Sequence, residues 1–202
     1  MKGGAVKLFG KLFNRPHRGN RRPASDYIVA TPSELDETLR SNPQDAAGYN
    51  NRGNARFLTG DLFGAIDDYS EAIRLNPQFA AYYYNRGVVR AAIGNLDEAI
   101  ADYDEAIRLN PQMDAAYTNR GVARDAKGDF DGAIADYNQA LRLNPHDAEA
   151  YCNRGAARQN KGDLDGAIAD YDKALQLNPE LKEARYNRDL VLEEKARRAT
   201  ER

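Results

Sequence analysis

The stretch "AYCNRGAAR" (150–158), followed after a short step by "GDLDGAIADYDKALQLNP" (162–179), decides how the chain folds. Its first half reads as a helix with Gly155 in the middle and with Arg154 and Arg158 on one face. Like charges at that spacing repel, and an internal glycine costs about 1 kcal/mol relative to alanine. A helix that accepts both must be held by something other than its own propensity. The stretch is not alone: "GYNNRGNAR" (48–56), "YYYNRGVVR" (82–90) and "AYTNRGVAR" (116–124) repeat it at a fixed step of 34 residues.

The second half keeps the same step, as "GDLFGAIDDYSEAIRLNP" (60–77), "GNLDEAIADYDEAIRLNP" (94–111) and "GDFDGAIADYNQALRLNP" (128–145). Gly60, Gly94, Gly128 and Gly162 suit the left-handed position that ends a helix. Asp61, Asn95, Asp129 and Asp163 follow as N-caps of a second helix. Ala65, Ile66, Tyr69, Ala72, Ile73 and Leu75 give that second helix one apolar face at a 3.6-residue period. An Asn-Pro step then ends it, at Pro77, Pro111, Pro145 and Pro179, because the residue before proline is pushed out of the helical region. A strict period with helix–turn–helix punctuation predicts a solenoid. The fold class expected is therefore all-α, a right-handed superhelical solenoid of antiparallel helix pairs.

Four regions are expected. Residues 1–30 form a basic tail, read as disordered and containing a short amphipathic segment. Residues 31–44 form an N-terminal capping helix, started by Thr31 as N-cap, Pro32 at the first helical position and Glu34 completing a capping box. Four helix pairs occupy 45–179, and a charged helix at 180–202 solvates the last of them. Of the net charge of −2, residues 1–25 contribute seven cations and no acid, which leaves −9 on the rest. So acidic a body makes a poor phosphate surface, and nucleic acid is not expected as a partner. The single cysteine, Cys152, excludes an internal disulfide framework and fits a reducing, cytoplasmic setting. No apolar run approaches the length of a membrane-spanning helix.

The units resemble the tetratricopeptide repeat family. The family's aromatic near the start of helix A matches Tyr49, Tyr83, Tyr117 and Tyr151, and its small residue matches Gly53, Gly87, Gly121 and Gly155. Its helix-B alanines and aromatic match Ala65, Tyr69 and Ala72, then Ala99, Tyr103 and Ala106, and so on along the chain. The pattern is specific for fold and much less so for function.

Arg52, Arg86, Arg120 and Arg154 depart from the family, which usually has leucine there. Asp68, Asp102, Asp136 and Asp170 recur in register with them. An unpaired buried charge would cost several kcal/mol, so a structural ladder of Arg–Asp pairs joining helices A and B is expected. Arg56, Arg90, Arg124 and Arg158 would join the same network. The alternative is a row of arginines held out to an acidic partner.

Asn51, Asn85, Asn119 and Asn153 fall where the family points side chains into a concave groove. An asparagine amide can both donate to and accept from an extended backbone. The arrangement resembles the asparagine ladder that the repeat domain of O-GlcNAc transferase uses on peptides. The other reading is an asparagine bonded to the neighbouring repeat. Carried over from the family, the groove positions also include Asn54, Phe57, Tyr84, Val88 and Val122. They are apolar in the first half and more acidic in the second, around Asp125 and Glu149, so the expected ligand is an extended peptide with an apolar segment next to a basic one. The two-carboxylate clamp of chaperone-binding members is disfavoured. Only its asparagines, at Asn54 and Asn85, are matched, and Asn50, Ala115 and Asn119 stand where its basic residues belong.

No catalytic or metal site is expected, and no cofactor. His17 lies in the tail, His146 in a turn, and Cys152 has no histidine near it in sequence. Ala5, Leu8, Phe9, Leu12 and Phe13 share one face of a helix with lysines elsewhere on the wheel, which suits an anionic membrane surface or a groove. Peripheral membrane contact through residues 1–15, self-association and an organellar import signal are the roles left open for this segment. The function expected is a non-enzymatic scaffold or adaptor that binds a partner's peptide in the groove. The alternative is an assembly module that self-associates or is tethered to a membrane.

Overall fold

Thr31 accepts a hydrogen bond from the Glu34 amide, and the Glu34 carboxylate accepts one from the Thr31 N–H at 2.7 Å, so the first helix starts on a reciprocal cap. From there a computed structural model describes residues 30–200. The tail's amphipathic segment (Ala5, Leu8, Phe9, Leu12, Phe13) and His17 lie outside the described residues. The described chain is helical throughout, with no strand. The described residues divide into two compact units, one ending at Leu109 and one beginning at Asn110.

The first unit holds α1 (Pro32–Ser41), α2 (Ala46–Thr59), α3 (Leu62–Leu75), α4 (Ala80–Ala92) and α5 (Leu96–Leu109). The second holds α6 (Asp114–Ala126), α7 (Phe130–Leu143), α8 (Ala148–Asn160), α9 (Leu164–Leu177) and α10 (Lys182–Thr200). Within each pair the turn is closed by a glycine at positive φ, from 82° at Gly128 to 88° at Gly60, where a side chain would be strained. Asp61, Asp129 and Asp163 then accept the amide of the residue three places on, which starts the second helix.

The core is made of small residues and one large one per repeat. Ala65, Tyr69 and Ala72 are sealed from solvent in the first unit, and Ala167, Tyr171 and Ala174 in the second. The tyrosines fit because the facing helix offers a glycine. A Cβ on Gly53 would stand 2.8 Å from the ring of Tyr69, and one on Gly155 2.8 Å from that of Tyr171. Tertiary packing against the ring therefore offsets the helix propensity that glycine gives up.

The end helices keep the register of the repeats. Arg52 Nη1 donates back to Asp36 at 2.6 Å, as Arg86 Nη1 does to Ser70 and Arg154 Nη1 to Asn138. Arg188 reaches Asp172 over the same step in sequence. So α1 occupies the place of a second helix and α10 that of a first. In α10, Asp189 stands where the repeats have glycine and Arg185 where they have tyrosine. A carboxylate in the glycine notch leaves no room for a tyrosine ring, so α10 turns a polar side outward.

Candidate functional site

Each repeat carries one buried carboxylate between two guanidinium groups. Arg52 binds Asp68 with two parallel bonds, Nε to Oδ2 at 2.9 Å and Nη2 to Oδ1 at 2.6 Å. Arg56 Nη1 closes on Asp68 Oδ2 at 3.0 Å. The same trio forms from Arg86, Arg90 and Asp102, and in the second unit from Arg120, Arg124 and Asp136 and from Arg154, Arg158 and Asp170. The aspartates are 2–3% exposed. The Arg52 guanidinium also lies 5.3 Å from the ring centroid of Tyr49, and each later repeat copies that contact. The hydrogen bonds it donates to Asp68 raise Arg52 above the usual arginine range. Arg56, Arg124 and Arg158 also have a further acid nearby, Asp61 at 3.6 Å, Asp129 at 3.9 Å and Asp163 at 3.8 Å, where the second repeat has Asn95. These guanidinium groups are spent inside the repeats rather than held out to solvent.

The four asparagines differ in their surroundings. Asn51 is exposed, Asn85 and Asn153 are half-buried, and Asn119 is buried at 4%. Asn85 Nδ2 donates to Asn50 Oδ1 at 2.9 Å and more weakly to Asn54 Oδ1 at 3.5 Å. Asn54 Oδ1 also accepts the hydroxyl of Tyr69 at 2.8 Å. The amide of Asn85 is thus engaged with the preceding repeat, and an incoming backbone would have to compete for it. Asn51 presents its amide to water.

The expected groove residues separate by side-chain length. Val88 is fully buried, so its placement in an open groove is corrected: its short branched side chain ends beneath the surface. Val122 is half-buried against Ala133, Tyr137 and Ala157. Phe57 is half-buried against Ala65, Tyr69 and Val89, and Tyr84 is half-buried. On the same helix face of the first unit, Leu58 is 61% exposed.

In the second unit the corresponding face has a different chemistry. Thr118, Val122 and Asp125 lie along one side of α6 at helical spacing. Thr118 Oγ1 and Asp125 Oδ1 are the buried side-chain oxygens without a hydrogen-bond partner among the described residues. Burial raises Asp125 above the usual carboxylate range, and the Asn160 amide acts the other way. The Tyr171 hydroxyl donates to Gln159 Oε1 at 3.0 Å. Burial pushes the Tyr137 and Tyr171 hydroxyls up, and the charge of Asp125 adds to both.

Tyr186 and Leu190, on α10, were not anticipated as part of this face. They continue the column of Cys152 and Ala156 by one more step of 34 residues, and they are 66% and 41% exposed. Asn187 and Arg188 likewise extend the Asn-Arg pairs of the repeats. Laying 182–194 under 148–160 finds them, although the missing glycine and second helix disguise the match. Among the described residues no three His, Cys, Asp or Glu side chains gather as a metal ion would require.

Two repeat-family models match the chain: one described as TPR repeat at residues 53–94 and 126–162, and one described as tetratricopeptide repeat at 80–113 and 148–181. Among solved structures, that of MamA is 26% identical, with a TM-score of 0.71 over 74% of this chain and 87% of that one. The first TPR of Spaghetti (RPAP3), bound to the HSP90 peptide SRMEEVD, is 32% identical, with a TM-score of 0.58 over 59% of this chain and 94% of that one. TTC0263 of Thermus thermophilus is like it in fold, with a TM-score of 0.65 at 22% identity over 95% of this chain and 99% of that one. No curated protein matches in sequence.

Proposed function

The chain belongs to the tetratricopeptide repeat family, and from that premise we propose a non-enzymatic scaffold that binds an extended peptide of a partner along the faces of its first helices. One observation carries this reading. The Arg–Asp–Tyr network is the same in all four repeats, while the half-buried positions above it change: Asn50 and Tyr84 in one column, Phe57, Ala91, Asp125 and Gln159 in the next. Constancy below serves the frame, and variety above serves recognition. The peptide held by the relative 32% identical to this chain supports a peptide as the class of ligand. That peptide is acidic, and the faces here lack the lysines to receive it. They fit an apolar segment next to a basic one. The exposed Asn51 would hold peptide backbone, and Leu58, Phe57 and Tyr84 would seat apolar side chains.

Among the described residues no helix is long and apolar enough to cross a membrane. The assembly reading draws its support from Phe63, 72% exposed where the other repeats have Asp97, Asp131 and Asp165. Selection of the full chain against a random-peptide display library separates the two. Enriched peptides that lose affinity on Tyr84→Ala and Asn51→Ala, but not on Phe63→Ser, support the scaffold. A library that yields nothing, with self-association abolished by Phe63→Ser, would favour assembly.

A further inference from the structure

The fold repays only part of the cost of placing Asp125, through a hydrogen bond from the Asn160 amide to its carboxylate. One of its carboxylate oxygens is buried with no hydrogen-bond partner. Desolvation of an ionised carboxylate opposes folding unless donors replace water. The buried aspartates of the repeats show what a structural acid looks like here: Asp136 has Arg120 at 2.5 Å and Arg124 at 2.8 Å. Nor does the repeat need an acid at this position, because Phe57, Ala91 and Gln159 fill it elsewhere. Asp125 is half-buried, so a ligand can reach the residue. Thr118, one helical stretch earlier on the same face, carries the other orphaned oxygen.

We propose that Asp125 is a specificity-determining residue of the second unit, which takes the ammonium or guanidinium group of a lysine or arginine in the bound peptide. Tyr186 and Leu190 seat an apolar or aromatic side chain of the same peptide. This rests on the peptide-binding reading above and adds the ligand's class and its spacing. Asp125 is on α6 and the apolar pair on α10, with α8 between them. At interaxial distances of 8–10 Å, two such steps are roughly 16–20 Å. An extended peptide covers that in about five or six residues. The cation meets the accessible side of the carboxylate and offsets the charge that the buried oxygen leaves uncompensated, and the exposed aromatic ring gives apolar contact at small cost in side-chain entropy.

The same library selection on the full chain tests this, repeated with Asp125→Asn and Asp125→Glu. Enriched peptides should share a lysine or arginine about five or six residues from an apolar or aromatic one. The best of them should bind Asp125→Asn about tenfold or more weakly, with Asp125→Glu closer to the parent. The melting temperature of Asp125→Asn should not fall, which a merely structural aspartate would not allow. Peptides enriched without a basic residue, or bound equally by Asp125→Asn, overturn the role of Asp125 and leave the peptide face standing. Loss of binding together with a lowered melting temperature assigns the residue to the fold and overturns it too. An empty selection removes the peptide face and this inference together.

Discussion

Arg52 meets Asp68 side-on, with parallel bonds of 2.9 and 2.6 Å, and the carboxylate is 2% exposed. A leucine in place of Arg52 would leave Asp68 the bond from Arg56 at 3.0 Å. Removing Asp68 instead takes the shared buried partner from both guanidinium groups and leaves them, as acidic partners, only the more exposed Asp36, at 2.6 Å from Arg52, and Asp61, at 3.6 Å from Arg56. Asp68→Ala should therefore destabilise by about 3 kcal/mol, and Arg52→Leu by about 1 kcal/mol. Chemical denaturation of the two variants checks the order. Equal losses, or a larger loss for Arg52→Leu, would deny Asp68 the central place.

Gly53→Ala brings a methyl group to within 2.8 Å of the Tyr69 ring. Overpacking of this kind costs about 1–3 kcal/mol, against roughly 1 kcal/mol gained in helix propensity. The net expectation is a loss of up to about 2 kcal/mol, reduced when Tyr69→Leu is added, because the second change removes the clash. An alanine variant that melts above the parent would show that the ring has room to move.

Asn85→Ala deletes a donor that is bonded at 2.9 Å to Asn50, and it should cost about 0.5–1.5 kcal/mol of stability with or without ligand. Asn51 is exposed, so Asn51→Ala should leave the melting temperature alone and weaken peptide binding if the asparagines hold backbone. Thermal melts paired with titrations of a selected peptide read both effects. A stability loss at Asn51 with none at Asn85 would reverse the assignment.

Burial raises the Asp125 carboxyl above its ordinary value. A carboxyl with a raised folded-state pKa contributes most below its unfolded value, and that contribution is lost as pH rises through the folded value. Ionised Asp125 therefore works against folding at neutral pH. Asp125→Asn should melt above the parent at pH about 7, with the gap closing as pH falls toward about 4. Melts across that range that keep a constant difference would mean that the carboxyl titrates as an exposed one does.

Much of the fold can be read from spacing. The 34-residue step places every helix of the four repeats, and the 16-residue step from Arg52 to Asp68 brings the two residues to one point. What spacing does not carry is the choice among partners once side chains meet. That Asn85 turns its amide to Asn50 depends on a neighbour in the preceding repeat, and the exposed Asn51 has the same residue type in the same register. Val88 looks like Phe57 and Tyr84 in a one-letter string, but a short side chain is covered where long ones emerge. The role of α10 was hidden because Asp189 and Arg185 replace the marks by which a repeat is recognised, while Tyr186 and Asn187 keep its register.

Chemical-shift mapping locates a bound peptide on or off the first-helix faces. The isotope-labelled full chain would be titrated with the best library peptide. Saturable shifts are expected on first-helix faces, at Asn51, Phe57, Leu58 and Tyr84 for a peptide held by the first unit, or at Asp125, Tyr186 and Leu190 for one held by the second. Shifts gathered instead on the outer sides of α3, α5, α7 and α9, around Arg74, Arg108 and Arg142, would contradict peptide binding on those faces.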